Sequence, residues 1–188
     1  MKKIITPFLF VFLIFSKNIS AQEAKIKSQE GFSPQIGTMV SMLEDLKKRV
    51  EYQVKNLNQE QTDFLLDEKA NRIGAMILHL AATEVYYQNA TFNNGAFNED
   101  KKWTLALQLG KKARKKLKDK PIQYYMDIWN EVRAETLRFL KTKDDAWFNA
   151  NMEGNPNINN YWAWFHVMEH QANHMGQIAL IKKRMPKK

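Results

Sequence analysis

Three of the chain's four histidines, His166, His170 and His174, stand four residues apart in the segment 161–184, YWAWFHVMEHQANHMGQIALIKKR. On an α-helix a step of four residues turns a side chain by only about 40°, so the imidazoles form a slanted row along one face. Ala163, Val167, His170, His174, Ile178 and Ile181 share one i+3/i+4 stripe, so His170 and His174 point where the aliphatic side chains point, into a core. Two histidines at i and i+4 can grip one metal ion, because their rings project side by side about one turn apart. The fourth, His79, lies in another apolar stretch of helical period, with Ala75, Ala82 and Tyr86 on its face. Alanines beside an imidazole leave space between helices that a filled core would give to Leu or Ile. One buried histidine alone is ordinarily a hydrogen-bonded core residue. Two in register, with a third on a small-residue face, predict a divalent-metal site built from His79, His170 and His174. Because the chain has no cysteine, such a site has only nitrogen and oxygen ligands.

Three further residues are candidate proton carriers near that site. His166 lies at the edge of the same helical face and reads as a further ligand, a neighbour of the ligands, or a surface residue packed on Trp162. Glu169 and Glu84 complete the set, although Glu84 falls about 140° around the helix from His79, which favours a structural role. His166-Val167-Met168-Glu169-His170 also matches the H-x-x-E-H zinc-peptidase pattern. Those enzymes need another acidic ligand well downstream, and no Asp or Glu follows Glu169. The peptidase reading is therefore set aside.

The elements that must carry these residues are helical. Ser33-Pro34 opens a helix over residues 34–57, with Ile36, Met39, Val40, Leu43, Leu46, Val50, Val54 and Leu57 at three- and four-residue intervals. Asn71 caps a second helix, over residues 72–92, which Asn93-Asn94-Gly95 ends. Pro121 opens a third, whose inner side carries Ile122, Tyr125, Met126, Ile128, Trp129, Val132, Thr136, Leu137 and Leu140. Asn159 or Asn160 caps the fourth, and Lys182, Lys183 and Arg184 suit its negative C-terminal end. Between helices, Phe64-Leu65-Leu66 and Ala146-Trp147-Phe148 read as apolar plugs in polar connections, and Gly154-Asn155-Pro156 as a turn. Trp103 to Leu109 reads as a short helix. No alternating strand pattern and no internal repeat is visible. These elements make an all-α four-helix bundle, a natural frame for a site built between facing helices.

Residues 1–21 stand apart from that fold. Met1-Lys2-Lys3 is a basic start, an apolar run follows, and Ile19-Ser20-Ala21 ends it on a small residue before Gln22. This is the layout of a secretory signal peptide, and about 12 apolar residues fall short of the roughly 20 that a spanning helix needs. The expectation is cleavage after Ala21, an exported (periplasmic or secreted) product, and one domain over residues 22–188. The chain carries a formal net charge of +9, and part of that charge leaves with the leader. The basic run Lys111, Lys112, Arg114, Lys115, Lys116, Lys118 and Lys120 could meet phosphates, but no aromatics are interleaved with it. It reads as a solvated flank, with no nucleic-acid partner and no stable membrane insertion after cleavage.

Two stretches carry a family resemblance. Asn71-Arg-Ile-Gly74-Ala-Met-Ile-Leu-His79-Leu-Ala-Ala-Thr-Glu84 resembles the second helix of DinB/YfiT-like proteins. His166-Val-Met-Glu-His170-Gln-Ala-Asn-His174-Met-Gly176-Gln177-Ile178 resembles their last. The resemblance covers most of the chain beyond the leader and implies an up-down-down-up bundle. It also implies a divalent ion, zinc or nickel, on His79, His170 and His174. Asn173 and Met175 depart from the residues many relatives place beside the last ligand. The implied activities are metal-dependent hydrolysis and transfer of low-molecular-weight thiols such as mycothiol or bacillithiol, on a small-molecule substrate. Homodimers are common in the family, and Trp147 and Phe148 could serve such an interface or cover the bundle end. Three imidazoles leave at least one coordination position open, which suits catalysis. The alternative is a binding or structural bundle whose histidines hold a metal, or only a hydrogen-bond network, without turnover.

Overall fold

The computed structural model describes residues 25–92 and 101–186, so the leader of residues 1–21 and the Asn93-Asn94-Gly95 break lie outside the described residues. Four long helices follow the four apolar stripes: α1 (Pro34–Val54), α3 (Ile73–Phe92), α6 (Ile122–Leu140) and α8 (Asn160–Arg184). Shorter helices join them: α2 (Gln59–Thr62), α4 (Lys101–Gln108), α5 (Gly110–Lys116) and α7 (Asp145–Asn149). Among the described residues, no helix is long and apolar enough to cross a membrane.

Helix ends show where local sequence decides and where it does not. Asn159 caps α8 by accepting from Trp162 N at 2.8 Å, one of the two expected positions. Ser33 is the N-cap residue of α1, but its hydroxyl accepts nothing from the helix. It donates instead to Asp145 Oδ1 at 2.5 Å, and that carboxylate takes the amides of Gln35 (3.1 Å) and Ile36 (3.4 Å). The orphan amides of α1 are thus met by a side chain 110 residues away, which pins α7 to the start of the bundle. Asn71, expected as a helix cap, accepts from Gly110 N at 3.3 Å. The stretch 103–109, expected as one short helix, is α4 and then a break at Leu109, whose φ is positive like that of Gly110, the first residue of α5.

Beside the helices stands a small antiparallel pair, β1 (Asn151–Met152) and β2 (Asn155–Asn159), too short and too polar to show as an alternating pattern in the sequence. Both strands are short and Asn-rich, so backbone pairing around Gly154 (φ +74°) holds them, not an alternating apolar face.

The bundle's direction of travel follows from its two apolar clusters. One gathers Val50 and Val54 of α1, Met76 and Leu80 of α3, Ile122 and Trp129 of α6, and Ile178 and Ile181 of α8. The other gathers Ile36 and Leu43 of α1, Tyr87 of α3, Leu140 of α6, and Trp164 and Val167 of α8. α1 and α8 therefore run one way and α3 and α6 the other, so the order along the chain is up-down-down-up. α3 packs between α6 and α8, and α1 closes the ring against both. Between the clusters lies a buried polar waist to which each long helix contributes: Lys47, Glu84, Arg133 and Gln171. The plug Ala146-Trp147-Phe148 behaves as expected, with Phe148 fully buried under the second cluster.

Candidate metal centre

α3 and α8 meet face to face, and their histidines meet with them. His79 Nε2 lies 2.8 Å from His170 Nε2. The His174 ring is 4.9 Å from that of His79 and 4.6 Å from that of His170, centroid to centroid. One nitrogen from each of His79, His170 and His174 falls within 4.8 Å of the other two. The histidines expected to converge from two separate segments do so.

A third element sets the chemistry of His79. Its Nδ1 is 2.9 Å from the carbonyl oxygen of Ala106 in α4. A carbonyl only accepts, so Nδ1 carries the proton and Nε2 keeps its lone pair turned toward His170. This backbone contact is the orienting partner that metal-binding histidines ordinarily have. It was not visible in the sequence, because a main-chain oxygen leaves no residue-type signal.

All three rings are held neutral. Burial pushes the His79 pKa down, against weaker support from the backbone at Ala106 and Leu107. Burial, then the neighbouring His174, His79 and His166, push His170 down to about 3. Burial and His79 bring His174 down to about 4, with the Gln177 side chain acting the other way. A neutral imidazole is the form that binds a metal ion.

The donor set fits a divalent ion. His174 Nδ1 is buried and has no hydrogen-bond partner among the described residues, an unusual state for a polar atom in a packed interior. Zinc–nitrogen bonds of about 2.0–2.1 Å place two ligand nitrogens of one ion roughly 3–4 Å apart. The observed separations, 2.8 Å at the close edge and at most 4.8 Å overall, bracket that spacing.

The other candidates sit elsewhere. His166 lies outside the cluster, stacked on Trp162 at 5.2 Å with 2° between the planes. Its Nδ1 is 3.3 Å from Glu169 Oε1, and its ring is 5.6 Å from that of His170. It is a neighbour of the ligands, and Glu169 is an exposed partner behind it. Glu84 takes the structural role that its offset from His79 favours. Fully buried, it faces α6, where it accepts from Arg133 Nε (2.7 Å) and Nη2 (3.0 Å), Thr136 Oγ1 (2.6 Å) and Trp129 Nε1 (3.2 Å). Its acceptor sites are used in the waist. Arg133, which also reaches Glu44 at 2.7 Å, was missed in the sequence. The usable signal was its position four residues after Trp129, on the inner side of α6.

A β-carbon at Gly176 would meet nothing within 4 Å, and Gln177 donates to Asn173 at 2.8 Å. The basic run lies on α5 and the turn after it, where most of its lysines are exposed. Arg114 donates there to the Lys69 carbonyl and Lys118 pairs with Asp119. An open cleft of about 930 Å³ between residues 25–29 and α1, lined by Lys25, Glu44, Asp45, Arg49 and Tyr52, contains none of the histidines.

A family model described as mycothiol-S-transferase matches residues 38–186, a span that takes in all four histidines. No curated protein matches the chain.

Proposed function

The chain belongs to the mycothiol-S-transferase family, a DinB/YfiT-like group, and from that membership we propose that it transfers a low-molecular-weight thiol to a small electrophile with a bound divalent ion. The observation that carries the reading is the convergence of His79, His170 and His174, all neutral, within 4.8 Å. These three residues would hold the ion, zinc or nickel. Such an ion supplies a Lewis acid that favours the thiolate form of a bound thiol.

The chain's own residues do the rest. The Ala106 carbonyl fixes the tautomer of His79, so its Nε2 is presented without rearrangement. His166, whose Nδ1 faces Glu169, accepts the thiol proton at Nε2. The sulfur then forms its bond to the electrophilic carbon, and the leaving group departs with its bonding pair. Burial of His79 and His174 keeps water from the inner side of the cluster.

A second reading, metal-dependent hydrolysis of a small molecule by the same site, is favoured by the leader-like residues 1–21. On this second reading we propose that the chain is exported, with cleavage after Ala21. Small thiols are kept in the reducing cytoplasm, whereas water is available in every compartment. A thiol-conjugation assay beside a thiol-free ester assay separates the two readings.

The direct test is metal analysis of the purified protein and of His170→Ala, paired with thiol conjugation. The wild type is expected to carry stoichiometric divalent metal and to conjugate mycothiol, and His170→Ala to lose both. Equal metal content in the two proteins overturns the reading.

A further inference from the structure

The row that places His170 and His174 begins further out, at Trp162. Residues 162, 166, 170 and 174 follow one another at four-residue steps of α8, and their rings touch in sequence. Trp162 stacks on His166 at 5.2 Å, His166 meets His170 at 5.6 Å, and His170 meets His174 at 4.6 Å. Exposure falls along the same row, from 44% at Trp162 to 7% at His174. The cluster therefore opens to solvent on the Trp162 side, and a ramp of flat rings leads from the surface to the three imidazoles. α3 supplies the facing wall. Tyr87 lies 5.7 Å from His166 across the helix interface, and Tyr86 packs edge-on against Tyr87 at 5.1 Å. Tyr86 sits on the same face of α3 as His79 and is itself 43% exposed.

Scattered exposed aromatics are ordinary on protein surfaces. These differ in being continuous, ring against ring, with the one cluster of neutral imidazoles in the described residues. Aromatic faces prefer to stack on other flat π-systems, and they do so at little entropic cost when already held in place. Here the Trp162 plane is already held parallel to His166.

We propose that Trp162 and Tyr86, with His166 and Tyr87 behind them, form a subsite for a flat aromatic group of the electrophilic substrate. That group lies on the ramp and delivers its reactive carbon to the histidine cluster. The subsite rests on the thiol-transfer reading and deepens it by naming the substrate class. In the reaction expected, the thiol sulfur bonds to the ring carbon bearing the leaving group, the thiol proton passes to His166 Nε2, and the leaving group departs as an anion.

The test compares 1-chloro-2,4-dinitrobenzene, a flat arene, with iodoacetamide, an aliphatic electrophile, using metal-loaded protein and mycothiol. Trp162→Ala is expected to raise the KM for the arene about 3- to 10-fold more than the KM for iodoacetamide. Trp162→Phe, which keeps a ring, is expected to restore most of the difference, and Tyr86→Ala to act in the same direction as Trp162→Ala. Equal changes for both electrophiles, or none, overturn the proposal. Equilibrium binding of unreactive 2,4-dinitroaniline tests the subsite without turnover. If the wild type conjugates neither electrophile, the transfer reading fails. The subsite then stands only if Trp162→Ala still weakens dinitroaniline binding, and falls if binding is unchanged.

Discussion

A histidine is useful to a metal only while it is neutral, and this chain keeps three of them neutral by burial and mutual repulsion. That has a consequence for stability. In the unfolded chain each titrates near 6.5, whereas in the folded protein His170 is held down to about 3 and His174 to about 4, with His79 also lowered. The folded state therefore refuses protons that the unfolded state accepts. Stability is full above the unfolded value of 6.5 and is lost as pH falls from there through about 4 and about 3. Thermal melts of chelator-treated protein should show a midpoint that drops steadily over this window. A His170→Asn/His174→Asn variant should show a shallower drop, and identical profiles would contradict the assignment. At this scale the sequence was informative where residue type and spacing coincide. His170 and His174 were legible because they sit one turn apart on an apolar stripe, and His79 because its neighbours are alanines. For Glu84 the offset from His79 pointed to a structural role but not to its partner Arg133, which lies 49 residues away on another helix. Nothing along α3 says which neighbour its carboxylate will face.

The long helices were legible from the repeat of their apolar residues, because a stripe at intervals of three and four admits only one regular conformation. Their ends and mutual approach were less so. The start of α1 depends on Asp145, and a cap supplied from another element has no local signature. Close packing is similarly hidden. Gly74 looks like a helix-weakening residue, yet a β-carbon there would come within 2.4 Å of Tyr125 Cε2 and 3.0 Å of Thr62 Cγ2. Tyr125 is fully buried in the first apolar cluster and has nowhere to move. Two effects compete at this position. Helix propensity favours Gly74→Ala by about 1 kcal/mol, and overpacking opposes it by roughly 1–3 kcal/mol. The rigid ring decides the sign. Gly74→Ala is expected to destabilise the protein, read as a lower midpoint of urea unfolding with an unchanged slope. A higher midpoint would show that α3 and α6 separate freely at this point.

Across the whole molecule three of the four long helices, α1, α3 and α6, are joined at the waist by charge as well as by oil. Glu84 of α3 accepts from three groups of α6, and Arg133 of α6 reaches on to Glu44 of α1. Lys47 of α1 bonds Asn130 of α6 and lies over the Trp129 ring at 5.1 Å. The up-down-down-up order was implied by family resemblance alone; apolar periodicity could not supply it, because a stripe records which face is buried and not which neighbour buries it. The waist adds a physical tie between neighbours: Arg133 lies between Glu84 and Glu44, which holds α6 beside both α3 and α1. A buried ion pair adds little over a well-packed apolar pair, because desolvation offsets most of the attraction, but removing one member strands the other. Glu84→Ala should therefore cost about 3–5 kcal/mol, since Arg133 keeps only Glu44 and the Trp129 and Thr136 donors lose their acceptor. Glu84→Leu combined with Arg133→Met removes both charges at similar volume and should recover most of that loss. Denaturant unfolding of the wild type, the single variant and the pair measures both steps. If the double variant is as unstable as Glu84→Ala alone, the waist stabilises the bundle through the ion pair itself, and the desolvation argument fails for this protein.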